Sequence, residues 1–133
     1  MKYFRVPPAV LVGLGGAIGT VVRYLLSLAV PGAVGIMVIN LSGALILGWL
    51  LTALKMRGPD EGRRTEVRLF VGTGVLGGYT TYSTFAFGSA EFFADGSVAL
   101  GLGYAIATVV LGTACAAAGI LLGRRFPMMG EKK

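Results

Sequence analysis

Hydroxyls, amides and glycines are the chemically capable groups of this sequence, and they cluster. The densest stretch is Gly72-Thr-Gly-Val-Leu-Gly-Gly-Tyr-Thr-Thr-Tyr-Ser-Thr-Phe85. Its first six residues spell the G-x-G-x-x-G of a dinucleotide-binding turn, whose glycines let backbone approach a pyrophosphate. Asp95, 18 residues past Gly77, even offers a candidate ribose acid. Such a turn needs a strand before it and a helix after it within a ~30-residue βαβ unit. Here the flanks are long uncharged apolar runs with no strand alternation, so the nucleotide reading fails.

Catalytic chemistry is poorly supplied. There is no histidine, one cysteine (Cys115), and six acids: Asp60, Glu61, Glu66, Glu91, Asp95 and Glu131. None of the acids falls near the middle of an apolar run, so no carboxylate pair, Cys/His cluster or nucleophile with its base can be assembled there. An enzyme is not expected. What remains inside the apolar runs is a set of hydrogen-bonding groups: Asn40, Ser42, Thr80, Thr81, Ser83, Thr84, Tyr104, Thr108 and Thr113. Amides and hydroxyls can donate to an anion, and Arg23 would raise the local potential in its favour. Each has an ordinary alternative. Serine and threonine in a helix commonly bond their own carbonyls, and Arg23 can snorkel to an interface. Asn40 is harder to dismiss, because an unpaired buried amide is costly. Tyr82 and Phe85, three apart, share a helix face. Their ring edges carry partial positive charge and suit either aromatic packing or a small anion.

The elements that must carry these groups are membrane spans. Of 133 residues, 55% are hydrophobic and 14% charged, where a soluble domain carries roughly 25% charge; mean hydropathy is +0.78. No charge occurs from Tyr24 to Leu54, from Leu69 to Ala90 or from Gly96 to Gly123. A crossing needs about 20 apolar residues, which gives four spans at about 7–29, 33–54, 69–94 and 97–123 in a single domain, 1–133. The expected fold class is an all-α integral membrane protein. The first run extends beyond a secretory signal and three more follow it. Eleven of the 12 basic residues fall before span 1, between spans 2 and 3, or after span 4. This places both termini in the cytoplasm and explains the net charge of +6 without nucleic acid. A lipid headgroup contact is a lesser use of the same residues. The pairs Gly15/Gly19, Gly74/Gly78 and Gly119/Gly123 are spaced for close helix approach. In span 3, Gly72, Gly74, Gly77 and Gly78 followed by two threonines suggest a break in mid-helix, tolerated where carbonyls line a cavity or meet an ion.

The sequence resembles the Fluc (CrcB) family of fluoride channels over nearly its full length. The resemblance rests on Gly16-Ala-Ile-Gly19-x-x-x-Arg23-Tyr24, on Asn40-Leu-Ser-Gly43 with Gly48, and on Gly72-Thr-Gly-x-x-Gly-Gly-x-Thr-Thr-x-Ser-Thr-Phe85. It implies an inverted, antiparallel dimer holding two narrow fluoride pores, a third helix broken at its middle, and passive export that lowers cytoplasmic fluoride. It also implies a structural, untransported Na+ held by the main-chain carbonyls of Gly77 and Thr80. The implied fluoride pathway is Asn40, Tyr82, Ser83, Thr84, Phe85, Tyr104 and Thr108, with Arg23 nearby.

Three features depart from the family pattern. Tyr82 stands where a phenylalanine is usual. Gly88 stands where an acid is common. The lopsided charge also opposes insertion of one chain in both orientations, so the partner is either a second copy or an oppositely oriented homologue. Two other readings are a proton-coupled small multidrug exporter and a non-transporting membrane assembly subunit. The first needs an intramembrane carboxylate, which spans 1 and 2 lack.

Overall fold

The computed structural model describes residues 6–126; Lys2, Arg5, Glu131, Lys132 and Lys133 lie outside them. The described chain is helical throughout: α1 (Pro8–Ala29), α2 (Gly32–Met56), α3 (Arg63–Val67), a π-helical segment (Arg68–Val75), α4 (Leu76–Tyr79), α5 (Ser83–Ala94) and α6 (Val98–Arg125). Three of these, α1, α2 and α6, are long and apolar enough to cross a bilayer, with mean hydropathies of 1.8, 2.1 and 2.2 over their most apolar windows. The expected spans 7–29, 33–54 and 97–123 fall on them to within two residues at each end.

Local chemistry accounts for the boundaries. Pro8 opens α1 at a position where the missing N–H costs nothing. Gly32, at φ +82°, turns the chain after Pro31 into α2. At the end of α5 the Gly96 amide bonds the Phe93 carbonyl and the Ser97 amide bonds that of Phe92, at 3.1 and 2.8 Å. With Gly96 at φ +77°, this is the Schellman ending.

The segment expected as a single third span, 69–94, is built from pieces. In its π-helical part the backbone takes wider turns, and the Leu76 amide reaches back five residues to the Val71 carbonyl. Helix ends at Tyr79, Thr80 is extended at φ −77° and ψ 159°, and helix resumes at Ser83. The sequence places the interruption across Gly72, Gly74, Gly77, Gly78 and the two threonines that follow. The structure keeps the four glycines helical and interrupts the chain at Thr80–Tyr82, so the threonines fall in the gap and the glycines do not. Gly74 and Gly78 serve close approach: a methyl on Gly74 would stand 2.9 Å from the Gly15 Cα, and one on Gly78 would collide with the Gly16 carbonyl.

These contacts fix the register. Gly15 meets Phe70 and Gly74 while Gly19 meets Val75 and Tyr79, so α1 runs parallel to the π-helical segment and α4. Gly48 meets Ala116, Gly119 meets Leu45 and Gly123 meets Thr52, so α2 and α6 are also parallel. Leu50, Leu54 and Leu76 form the core between these pairs, with Val67 and Val71 packed on it. The C-terminal ends of α2 and α6 therefore share one end of the bundle with the start of the π-helical segment. Lys55, Arg57, Arg68, Arg124 and Arg125 gather there. The outer surface is apolar, with Leu14, Leu28, Leu100, Leu111 and Leu121 all exposed. Apolar exposure on this scale is an association liability in water, and it suits a protein whose solvent is lipid. This is a membrane protein.

Candidate functional site

The interruption between α4 and α5 is braced from two other helices. Asn40 on α2 makes a two-point pair with Thr81: its Nδ2 donates to the Thr81 carbonyl and its Oδ1 accepts from the Thr81 amide, both at 2.9 Å. The Asn40 amide is thus satisfied by backbone, leaving one Nδ2 proton beyond the pair. Arg23 is half-buried, and its guanidinium donates to the Thr80 carbonyl at 3.2 Å. Thr81 is buried, and its Oγ1 gathers the start of α5: it accepts from the Thr84 amide at 3.2 Å, donates to Thr84 Oγ1 at 3.1 Å and lies 3.2 Å from Ser83 Oγ. Ser83 and Thr84 are both exposed.

An aromatic series leads away from this point. Tyr82, 80% exposed, lies 6.0 Å from Phe85 between ring centroids, tilted by 54°. Phe85 lies 5.5 Å from Tyr104 on α6, and Tyr104 lies 5.9 Å from Phe92. All three are tilted contacts in the range where ring edge meets ring face favourably. Tyr104 is only 8% exposed, and its hydroxyl is a buried polar group with no hydrogen-bond partner. Thr108, one turn further along α6, is also buried, but its proton is committed to the Tyr104 carbonyl at 2.7 Å. Gly88 adds no side chain; a methyl there would sit 3.9 Å from the Tyr104 ring.

On the other side of the interruption lies a cavity of about 450 Å³. Leu47, Leu51 and Leu76 form its apolar wall, and Arg68, Thr73, Gly77 and Thr80 its polar one. Among the described residues there is no group of three or more His, Cys, Asp or Glu side chains able to hold a metal. A cation here has main-chain and hydroxyl oxygens to bind. Neutral oxygens are suitable donors for a hard cation, and Gly77 and Thr80 line the same space, so the donor set fits. Two carbonyls from one chain make only part of a shell.

The structure thus brings Asn40, Arg23, Thr80, Ser83 and Thr84 together around Thr81, and Tyr82, Phe85 and Tyr104 into one series. Thr108 joins by position only, its hydroxyl turned to its own helix. Thr81, named above only as one hydrogen-bonding group among several, and Phe92 stand outside the pathway expected from the sequence. Thr81's role depends on Asn40, 41 residues away, and a local pattern cannot reveal it. Phe92 lies seven residues after Phe85, two helical turns on the same face, and that spacing could have found it.

Comparison with known proteins sets this geometry in a family. The family model described as CrcB-like protein, Camphor Resistance (CrcB), matches residues 10–120. A protein of Leifsonia xyli subsp. xyli named fluoride-specific ion channel FluC 2 is 54% identical over 117 residues, covering 85% of this chain and 81% of the relative. A Cutibacterium acnes protein named fluoride-specific ion channel FluC 1 is 40% identical, covering 77% and 75%. An Agrobacterium fabrum protein named fluoride-specific ion channel FluC is 38% identical, covering 86% and 94%. These relatives carry the names of channels, in line with the expectation that the chain is not an enzyme. The chain belongs to the CrcB family.

Proposed function

We propose that this chain is a subunit of a fluoride-selective channel through which fluoride leaves the cytoplasm passively. The observation that carries the reading is the 54% identity to a relative named as such a channel, over 85% of this chain. The site chemistry agrees. Fluoride is small, strongly hydrated and a good hydrogen-bond acceptor, so a pathway must replace its water with donors and ring edges. The series Tyr82, Phe85 and Tyr104 presents ring edges and one buried hydroxyl, and Ser83, Thr84 and Asn40 stand at its end. Thr108 gives fluoride no donor while its proton is held by the Tyr104 carbonyl at 2.7 Å, and Arg23 raises the potential with no acid paired to it among the described residues.

In this reading residues 69–94 form the third of four crossings, broken at the non-helical Thr80–Tyr82. Two inverted subunits complete the channel. Na+ would be held by the Gly77 and Thr80 main-chain oxygens and would supply a fixed positive charge joining the two broken segments. It is structural and is not transported. The charge bias of the loops favours the orientation with both termini in the cytoplasm, and the inverted partner, a second copy or an oppositely oriented homologue, takes the other.

The test is efflux from liposomes containing the purified chain, followed with fluoride and chloride electrodes. Rapid fluoride release with chloride retained is expected. Phe85→Ile removes one ring, worth about 1 kcal/mol, and should slow release roughly fivefold. Folded protein giving no fluoride flux, alone or with a co-expressed homologue, would identify a non-transporting subunit and overturn the reading.

A further inference from the structure

We infer that Asn40 and Thr81 are positioning residues that keep the Gly77 and Thr80 carbonyls open to a hard monovalent cation. The inference rests on the sodium reading above and goes beyond it, by saying what frees the ligands.

In an uninterrupted α-helix each amide bonds the carbonyl four residues before it. Thr80 still obeys, its amide donating to the Leu76 carbonyl at 3.0 Å. The next two amides in question do not. The Thr81 amide, due at the Gly77 carbonyl, donates instead to Asn40 Oδ1 at 2.9 Å. The Thr84 amide, due at the Thr80 carbonyl, donates instead to Thr81 Oγ1 at 3.2 Å. The two diverted amides are those that helical geometry would aim at the two carbonyls of the cation site. A bound cation and a helical N–H draw on the same carbonyl lone pairs; diverting both amides leaves the Gly77 carbonyl without its helical donor and the Thr80 carbonyl with the Arg23 guanidinium in place of one.

The diversion is secured from both sides. Asn40 Nδ2 also holds the Thr81 carbonyl, so the Thr81 peptide groups cannot rotate back toward α4 without breaking two bonds. Thr81 is 7% exposed, so water does not readily replace either bond. The Thr80 carbonyl accepts one bond from Arg23 at 3.2 Å, and a carbonyl oxygen has a second lone pair. Gly77 and Thr80 both line the cavity beside the interruption, which leaves room for an ion next to the two residues. The arrangement resembles the outer partners of metal sites, which orient ligands without touching the ion.

Sodium-dependent thermal stabilisation tests this without reference to flux. Purified full-length protein is melted in detergent across a sodium titration, with N-methylglucamine holding ionic strength constant and potassium as control. The native chain should show a melting temperature that rises with sodium and not with potassium. Thr81→Val keeps the side-chain shape and removes the acceptor, and should raise the sodium midpoint about 10- to 100-fold. Thr81→Ser restores the acceptor and should bring the midpoint back to within about threefold of native. Asn40→Ala should behave as Thr81→Val does; if it fails to fold, the Val and Ser pair decides. Folded Thr81→Val with a native midpoint overturns the inference and leaves the sodium reading standing. A native chain indifferent to sodium overturns both.

Discussion

In the fluoride pathway proposed above, Tyr82 heads the aromatic series. Its ring is 80% exposed and reaches Phe85 at 6.0 Å, so the edge-and-face contact that the series needs is already made by the ring carbon atoms. The hydroxyl adds a donor at the tip and takes nothing from that contact. Tyr82→Phe should therefore conduct fluoride within about twofold of the native rate, whereas Tyr82→Ile, losing a ring worth about 1 kcal/mol, should be slowed roughly fivefold. Fluoride-electrode efflux on matched liposomes measures both, and a large gain in Tyr82→Phe would mean that the hydroxyl blocks the path. At this scale much was legible. Residues spaced three or four apart, such as Tyr82 with Phe85 and Tyr104 with Thr108, declare their common face. The direction of a hydroxyl is not so declared. Thr108 and Thr84 read alike in sequence, yet one bonds its own helix and the other bonds Thr81.

Among the elements, glycine carries two messages that sequence cannot separate. It weakens a helix, and it lets two backbones meet. The run from Gly72 to Gly78 reads as a break by the first message, yet Gly74 and Gly78 act by the second, lying against Gly15 and Gly16 of α1, while a methyl on Gly77 would meet nothing within 4 Å. The interruption falls on the two threonines after these glycines and on Tyr82, where Asn40 captures the Thr81 amide, and that capture is disclosed only by the neighbouring helix. A pair of substitutions separates the two roles. Gly15→Ala would drive a methyl into the Phe70 carbonyl oxygen, and should cost about 1–3 kcal/mol as overpacking. Gly103→Ala meets nothing within 4 Å, and should be neutral or stabilise by about 0.5–1 kcal/mol through helix propensity. In thermal melts of the detergent-purified variants, the melting temperature of Gly15→Ala should fall while that of Gly103→Ala stays level or rises. A downward shift of equal size in both would remove the close-packing account.

For the whole molecule the constraint is charge. Lys55, Arg57, Arg63, Arg64 and Arg68 lie in or beside the α2–α3 connection, where Arg64 donates to the Pro59 and Arg57 carbonyls and Arg68 pairs with Asp60 at 2.8 Å. The parallel registers of α2 with α6 and of α1 with the π-helical segment bring Arg124 and Arg125 to the same end. This agrees with the one-sided distribution read from the sequence. One-sided charge favours one orientation, while an inverted dimer needs two. The conflict makes two measurements depend on each other. If the chain conducts fluoride alone, a reporter fused after Lys133 must be found on both membrane faces. If the reporter is found on one face only, the chain alone should give no flux, and an oppositely inserted homologue should restore it. Moving charge tests the same link. Replacing Arg124 and Arg125 with glutamine should raise the fraction of reporter on the minority face, and with it the flux of the chain expressed alone. Conduction by a chain inserted in a single orientation would overturn the inverted arrangement while leaving the fluoride pathway intact.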